Sequence, residues 1–246
     1  MSFSFFKKTK EKQVDMRQLS VDMHSHILPG IDDGAQNVQD SIQLVNALIS
    51  LGYEQFICTP HVMGDYFPNT DQSIDRATKA LQFNHKVVLQ NHPLSATAEY
   101  FYDERLIELN QSKHLRTFAE TSYFLFEFSF KFKPPGTKEF IYDAQMNGYK
   151  PILAHPERFD YMDLSKLEEL KSRGVNLQLD LMSLVGHYGK NVQKLAKELI
   201  KAKMYDFVGT DIHRFQHVEV IEKALRSRLC HELVDTNPLK NQHFKQ

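Results

Sequence analysis

The chain has 246 residues, a length that suits one substantial hydrophobic core. Its 30 basic and 31 acidic residues give a net charge of -1, which argues against a nucleic-acid-binding surface. Two cysteines provide no disulfide framework, so we expect a cytoplasmic protein, and no apolar stretch approaches the roughly 18 residues of a transmembrane span.

The first 18 residues are predicted to form a mobile polar tail that precedes a single domain over 19–246. In this tail Phe3, Phe5 and Phe6 come before Lys7 and Lys8, which is the reverse of the order in a secretory signal. Contact of these phenylalanines with a membrane or a partner protein is the weaker alternative.

Short apolar runs alternate with longer amphipathic runs in the rest of the chain. Strands are predicted at 21–24, 55–59, 94–98, 123–128, 151–154, 176–179 and 206–209. Helices are predicted at 38–51, 71–89, 137–147, 164–173, 191–202 and 218–228, with a shorter helix or turn at 103–110. This alternation predicts an α/β fold with a parallel sheet. Because the chain has no G-x-G-x-x-G fingerprint, a closed or nearly closed barrel is favoured over a dinucleotide-binding sheet.

Histidines and carboxylates recur where these predicted strands end. His24 and His26 are two residues apart, so in a strand they point to the same side and can bind one metal ion. In a β/α barrel the carboxyl ends of all strands lie at one face. Asp33 follows in the loop after this first strand, and the later strand ends carry, in chain order, His61, Glu99, Glu127, His155, Asp211 and His213. The sequence therefore predicts a metal centre at this face.

The nine candidate ligands exceed the three or four that one catalytic ion uses, so we expect at least two ions and favour three. Glu99 is our choice for a carboxylate that bridges two of them. Nitrogen and oxygen donors without a thiolate suit manganese, iron or zinc. Closely spaced ions of this kind favour the hydrolysis of a phosphate ester.

The sequence excludes a cysteine-based phosphatase mechanism. That mechanism requires a thiolate followed six residues later by an arginine. The residues at this spacing after Cys58 and Cys230 are Gly64 and Thr236. Phosphate ester hydrolysis by this chain is thus expected to depend on the metal ions.

These motifs resemble those of the polymerase-and-histidinol-phosphatase (PHP) superfamily. Within it, the segments 24–34 (HSHILPGIDDG), 125–129 (LFEFS) and 154–158 (AHPER) are similar to the bacterial tyrosine-protein phosphatases of capsule and exopolysaccharide loci. The resemblance extends over residues 21–238. It implies a distorted (β/α)7 barrel of the PHP type with a trinuclear site, in which manganese is favoured over iron or zinc.

The resemblance also implies a role for each site residue. Two ions would be held by His24, His26, Glu99, Glu127, His155 and Asp211, with Glu99 bridging, and the third by Asp33, His61 and His213. Arg158 matches the arginine that binds the substrate phosphate, for which a guanidinium fork is well suited. The loop 61–67 lacks basic residues that some relatives have, so Arg214 is expected to assist Arg158. Asp65 or a metal-bound water is the candidate general acid.

The implied activity is that of a metal-dependent protein-tyrosine phosphatase, in which a metal-bridged hydroxide attacks phosphorus in line with the phenolate. By analogy, the substrate is a phosphotyrosine protein, namely the tail of a membrane tyrosine autokinase that controls capsule or exopolysaccharide synthesis. The alternative is a histidinol phosphate phosphatase or another small-molecule phosphoesterase of the superfamily. A non-catalytic, metal-stabilised binding module is a rival from another class.

Overall fold

The structure is a computed structural model that describes residues 12–246. Within this range the strands are β1 Val21–Asp22, β2 Gln55–Cys58, β3 His61–Val62, β4 Leu94–Ala96, β5 Glu99–Phe101, β6 Tyr123–Glu127, β7 Lys150–Ala154, β8 Asn176–Asp180 and β9 Phe207–Gly209. The helices are α1 Val38–Ser50, α2 Asp71–Asn84, α3 Lys86–Leu89, α4 Glu104–Gln111, α5 Thr137–Met146, α6 Leu164–Ser172, α7 Lys190–Lys201, α8 His217–Leu225 and α9 Arg228–Thr236. None of these helices is both long enough and apolar enough to cross a membrane.

The nine strands form the seven staves of a barrel, a stave being one position around the sheet. Two of the staves each consist of two consecutive strands. β2 and β3 make one stave, and β4 and β5 make the next; the order around the sheet is β1, β2/β3, β4/β5, β6, β7, β8, β9, with parallel pairing throughout. Pro60 interrupts the first split stave because it has no N–H to donate to the ladder. Hydrogen bonds bridge both gaps, from Thr97 N–H to the Cys58 carbonyl (2.9 Å) and from Glu99 N–H to the Pro60 carbonyl (3.1 Å).

Hydrogen bonds between the first and last staves close the ring. Asp211 N–H donates to the His24 carbonyl (2.9 Å), and His26 N–H donates to the Ile212 carbonyl (3.0 Å). Ser25 and Ile212 form a parallel bridge at the same place. The predicted (β/α)7 barrel is confirmed, with its seventh stave joined to its first beyond the ends of β1 and β9.

The side chains of β6 show how the barrel separates its inner and outer faces. Phe124 and Phe126 are buried in the large core between the staves and the helices. Leu125 belongs to a second cluster with side chains from β1, β2, β7 and β9, which only the barrel interior can bring together. Glu127 is two residues beyond Leu125 and therefore points to the interior as well. The barrel interior is therefore apolar next to Leu125, and the carboxylate of Glu127 lies at the carboxyl end of β6.

Two predicted helices differ in the structure, and the segment left open between helix and turn is a helix. The predicted helix 71–89 is interrupted at His85, and the four-residue α3 follows. The segment 103–110 is a helix, α4, whose first turn is capped by the Asp103 side chain. The predicted helix 218–228 ends at Leu225, and Ser227 caps a further helix, α9, that the prediction missed. Ser227 is a favourable N-cap residue, so the start of α9 was readable from the sequence.

Part of the predicted N-terminal tail is packed against the barrel. Residues 1–11 lie outside the described residues. Val14 is buried and its N–H donates to the Leu225 carbonyl (3.0 Å), while the Lys12 carbonyl accepts a hydrogen bond from His231 Nε2 (2.8 Å). Residues 12–18 are therefore held against α8 and α9.

Gly34 lies against the backbone of His26 and provides a test of this packing. A Cβ at residue 34 would lie 2.0 Å from the His26 carbonyl oxygen, a distance at which something must move. We expect Gly34→Ala to lower the free energy of unfolding by about 2 kcal/mol and the melting temperature by roughly 5 °C. Thermal unfolding in the presence of a chelator measures this effect without a contribution from metal binding.

The control is Gly64→Ala, because a Cβ at residue 64 meets no atom nearer than the Asp103 carboxylate at 3.4 Å. Gly64→Ala is expected to unfold close to the wild-type temperature. Equal losses in the two variants would contradict the importance of the contact between Gly34 and His26.

Candidate metal centre

All nine side chains that the sequence suggested as metal ligands lie at one end of the barrel. They belong to six of the seven staves: Glu127 ends β6, His61 and Glu99 begin β3 and β5 at the breaks of the two split staves, and the others follow β1, β7 and β9. Donor atoms lie within 4.8 Å of one another in three groups: His24, His26 and Glu99; His61, Glu99 and Glu127; and His26, Asp33, His61 and His213. Asp211 contacts His24 and His26, and His155 contacts Glu99.

Asp211 joins the first group by lying close to both of its histidines. His24 Nε2 and His26 Nε2 are 3.2 Å apart, and each lies 3.3 Å from Glu99 Oε2 and 3.3 Å from Asp211 Oδ1. These imidazole nitrogens and carboxylate oxygens are the donor types that zinc and manganese accept.

The second group shares Oε2 of Glu99 with the first, since His61 Nδ1 lies 3.1 Å from it, whereas the other oxygen of Glu99 faces His155. Glu99 Oε1 lies 2.9 Å from His155 Nε2, and Glu127 Oε2 lies 3.8 Å from the same nitrogen. Glu99 thus presents Oε2 to His24, His26 and His61, and Oε1 to His155. A carboxylate with ligands around both of its oxygens is suited to bridging two ions.

The third group lies on the open side of the centre. Asp33 Oδ1 is 3.3 Å from His213 Nε2 and 3.5 Å from His61 Nε2, and 57% of the Asp33 side chain is exposed. Burial of Glu99, by contrast, is complete. A molecule that enters from solvent therefore meets the third group first.

The unpaired polar atoms of the centre also fit bound metal. Glu99 Oε2 and His61 Nδ1 are buried and have no hydrogen-bond partner, an arrangement that is costly without a ligand. Burial alone would lower the pKa of His24, but the carboxylates of Glu99 and Asp211 raise it to about 9. In the same way, burial would raise the pKa of Glu99, but the surrounding imidazoles hold it well below its usual value.

Two of the candidate ligands have strained backbone conformations. His155 has a φ of 33° and Asp211 a φ of 50°, in the left-handed region that non-glycine residues rarely adopt. Such a conformation costs on the order of 1–3 kcal/mol and occurs preferentially at functional sites. The strain turns both side chains toward the centre just beyond the ends of β7 and β9.

Arg158 lies beside the metal centre between two aromatic rings. Its Nη1 donates to Asp211 Oδ2 at 2.6 Å and lies 3.5 Å from Asp180 Oδ2. Its guanidinium carbon is 4.6 Å from the ring centre of Phe130 and 4.0 Å from that of Tyr188. The guanidinium plane is therefore fixed next to the first group of ligands.

Asp65 and Arg214 are both exposed on loops at the rim of the barrel. Asp65 lies in the loop that is pinned by paired backbone hydrogen bonds between Met63 and Phe67 (3.0 and 2.9 Å). Among residues 12–246, no side-chain hydrogen bond or ion pair joins Asp65 or Arg214 to the ligands. Their roles stay predictions.

Comparison with known proteins gives the family. Residues 20–238 match the sequence profile of the family described as capsular polysaccharide synthesis, CpsB/CapC. The chain belongs to this family. It is 31% identical over 233 residues to the tyrosine-protein phosphatase YwqE of Bacillus subtilis, covering 89% of this chain and 90% of YwqE. It is 23% identical over 235 residues to the tyrosine-protein phosphatase CpsB of Streptococcus pneumoniae, covering 89% of this chain and 97% of CpsB.

The solved structures agree with this family assignment. A crystal structure from work on YwqE of Bacillus subtilis and CpsB of Streptococcus pneumoniae, described as unique metal-dependent tyrosine phosphatases, superimposes with a TM-score of 0.74 at 30% identity. The match covers 87% of this chain and 91% of that structure. An amidohydrolase from Mycoplasma synoviae, with a TM-score of 0.51 at 13% identity over 95% of this chain and 88% of that structure, shares the fold alone.

Two residues that orient the ligands were not assigned from the sequence. Asp32 Oδ2 lies 2.8 Å from His26 Nδ1, and Gln178 Oε1 lies 2.8 Å from His24 Nδ1. Because each contact is to Nδ1, Nε2 of each histidine is free to face the metal. Metal-bound histidines commonly have a partner of this kind on their other ring nitrogen. Asp32 adjoins Asp33 in the motif, which was a usable signal, whereas a buried glutamine on β8 gave none.

The unpaired atoms around Glu99 predict that metal ions stabilise the chain. Mn²⁺ or Zn²⁺ at about 100 times its dissociation constant is expected to raise the free energy of unfolding of chelator-treated protein by about 2.7 kcal/mol. Glu99→Gln removes the bridging charge and is expected to lose most of this gain. The exposed Glu120→Gln should keep it. Thermal unfolding with and without metal measures both, and an undiminished gain in Glu99→Gln would argue against the bridge.

Asp32 is expected to increase metal affinity through His26. Replacing Asp32 by Asn is predicted to weaken metal binding about 10- to 100-fold, because the imidazole loses its orienting carboxylate. Titration of the metal-free protein with Zn²⁺ against a competing chelator measures the change. The exposed Asp235→Asn serves as the control. Equal affinities in the two variants would exclude an orienting role.

Proposed function

We propose that this chain is a metal-dependent protein-tyrosine phosphatase of the capsule or exopolysaccharide type. One observation carries the proposal: Glu99 presents one oxygen to His24 and His26 and the other to His155. Such an arrangement suits two ions that act together on a phosphate ester. The names of the relatives YwqE and CpsB support phosphotyrosine as the substrate, in preference to histidinol phosphate or another small phosphate ester.

We propose three ions with distinct ligand sets. The sets are His24, His26, Glu99 and Asp211; Glu99, Glu127 and His155; and Asp33, His61 and His213. Nitrogen and oxygen donors support manganese, with iron or zinc as alternatives. When bound, such ions supply a water-derived nucleophile at neutral pH and neutralise negative charge on the phosphoryl oxygens.

Arg158 is proposed to bind the phosphoryl group of the substrate. Among the described residues its only side-chain partners are Asp211 and Asp180, both through Nη1. The N–H groups on Nε and Nη2 thus stay free for phosphate oxygens, which a guanidinium binds in a bidentate manner. The rings of Phe130 and Tyr188 hold the guanidinium in place, so little side-chain entropy is lost on binding.

The exposed residues at the rim have auxiliary roles in this proposal. Arg214 assists Arg158 in attracting the phosphate, and Asp65 or a water molecule protonates the departing phenolate. Phenolate is a moderately good leaving group, so stabilisation of charge on the phosphoryl group matters more than protonation.

The biological setting is proposed from the family description. The phosphoprotein is the tail of a membrane tyrosine autokinase, and the chain acts on it in the cytoplasm as a single domain over 19–246. The family's link to capsular polysaccharide synthesis supports this setting. The single domain is supported by the amide of Asn241, which donates to the carbonyls of Val21 (3.0 Å) and Val208 (2.7 Å) and so ties the C-terminal segment to both β1 and β9.

Phosphate release from a phosphotyrosine peptide tests the activity. The Mn²⁺-loaded chain is expected to release phosphate, and a chelator is expected to stop the release. His155→Ala removes a proposed ligand and should abolish turnover, whereas the exposed His243→Ala should not change it. No release from fully metal-loaded protein would contradict the proposal. Faster turnover of histidinol phosphate than of the peptide would favour the alternative.

Arg158→Lys tests phosphate binding separately from metal binding. Lysine keeps the charge but loses the bidentate fork, so kcat/KM is expected to fall about 10- to 100-fold. The stabilisation of the protein by metal should be unchanged. Loss of that stabilisation would show instead that Arg158 acts by positioning Asp211. The exposed Arg173→Lys is the matched control.

A further inference from the structure

Glu157 is a buried carboxylate that neither the metal centre nor the proposed phosphate site uses. It lies in the short 3₁₀ helix Pro156–Arg158, between the candidate ligand His155 and Arg158 in sequence. Only 2% of Glu157 is exposed. In the described part of the chain its carboxylate forms no ion pair, and the neighbouring Arg158 pairs with other carboxylates. A charge buried without a cation is unfavourable unless hydrogen bonds satisfy it, so the hydrogen-bond partners of Glu157 indicate its role.

Three donors surround the Glu157 carboxylate. Oε1 accepts hydrogen bonds from the Asp180 N–H (3.0 Å) and the Ser183 hydroxyl (2.8 Å), and Oε2 accepts one from the Tyr205 hydroxyl (3.0 Å). Tyr205 belongs to the large core between the staves and the helices. The carboxylate therefore lies on the outer side of the staves, where it connects the turn after β7 to the end of β8 and to the segment before β9.

The two contacts at the end of β8 lead to the groups that hold the Arg158 guanidinium. Asp180, whose N–H donates to Glu157, places its carboxylate 3.5 Å from Arg158 Nη1. Ser183 lies in the 3₁₀ turn after β8, and five residues beyond it the ring centre of Tyr188 is 4.0 Å from the guanidinium carbon. Arg158 itself adjoins Glu157 in the chain. One buried carboxylate thus anchors the backbone of Arg158 together with the backbone that carries both of these neighbours.

We propose that Glu157 is a positioning residue that fixes Arg158 for binding of the substrate phosphoryl group. The inference rests on the proposed function, because it requires that Arg158 binds phosphate. A guanidinium that binds in a bidentate manner must be held in one orientation, and a displacement of about 1 Å at such a site can lower a reaction rate about 100-fold. Hydrogen bonds at a buried position are strengthened by the low local dielectric, so the three contacts of Glu157 provide a firm anchor. Glu157 acts through Arg158 and does not itself contact the substrate.

Binding of inorganic phosphate to the Mn²⁺-loaded chain, measured by titration calorimetry, tests this role. Glu157→Ala removes all three hydrogen bonds and is expected to weaken phosphate binding about 10-fold. Glu157→Gln keeps an oxygen for Asp180 and Ser183 and should restore most of the affinity. In an Arg158→Lys background, Glu157→Ala should weaken binding less than about two-fold, because residues that act together have non-additive effects. The stabilisation of the protein by metal should be unchanged in each variant.

The matched control is Asn241→Ala. It also removes three buried hydrogen bonds, but these tie the C-terminal segment to β1 and β9. This control should lower the melting temperature and leave the phosphate affinity unchanged. Equal losses of affinity in Asn241→Ala and Glu157→Ala, or additive losses from Glu157→Ala and Arg158→Lys, would overturn the proposal.

Ser183→Ala provides a milder variant in case Glu157→Ala does not fold. It removes one of the three hydrogen bonds and is expected to weaken phosphate binding about three-fold. Unchanged affinity in the folded Ser183→Ala and Glu157→Ala variants would overturn the positioning role while leaving the proposed function intact. Absence of phosphate binding by the metal-loaded wild-type chain would contradict the proposed function and this inference together, so the two failures are distinguishable.

Discussion

The burial of carboxylates together with imidazoles at one end of the barrel is the constraint on which the rest of the structure depends. Glu99, Asp211, His24 and His26 are almost completely removed from water. An isolated charge at such depth is very unfavourable, so each carboxylate requires a cation or several hydrogen bonds. In the absence of metal, protonated histidines meet this need, as the raised pKa of His24 indicates. Metal ions satisfy the same carboxylates while also pairing the histidine nitrogens.

The barrel meets this constraint by dividing its interior along the stave direction. Side chains such as Leu125 and Phe207 fill the lower interior, and the rings of Phe118 and Phe244 stack there at 4.6 Å. This apolar layer excludes water from the side of the metal ligands that faces the barrel interior. The apolar layer strengthens each electrostatic interaction above it, because the local dielectric is low.

The positions of the candidate ligands could be predicted because they follow from local sequence patterns. A short apolar run that ends in histidine or a carboxylate indicates a buried strand with a polar carboxyl end, and parallel strands bring those ends to one face. Only the structure explains Gly34 in the same motif. The His26 carbonyl lies so close to Gly34 that there is no space for a side chain at this position. The order of the staves can be predicted from the sequence, but the distances between their side chains cannot.

The features that could not be predicted depend on contacts between distant residues. Gln178 and His24 are 154 positions apart, and a buried glutamine in a strand has no pattern that points to a histidine. The contact between Arg158 and Asp211 likewise joins residues from two loops. It gives Asp211 two tasks, since Oδ1 faces the histidines and Oδ2 pairs with the arginine. A change in charge on a phosphate bound to Arg158 would therefore alter the electrostatic environment of Asp211, which is itself a candidate metal ligand.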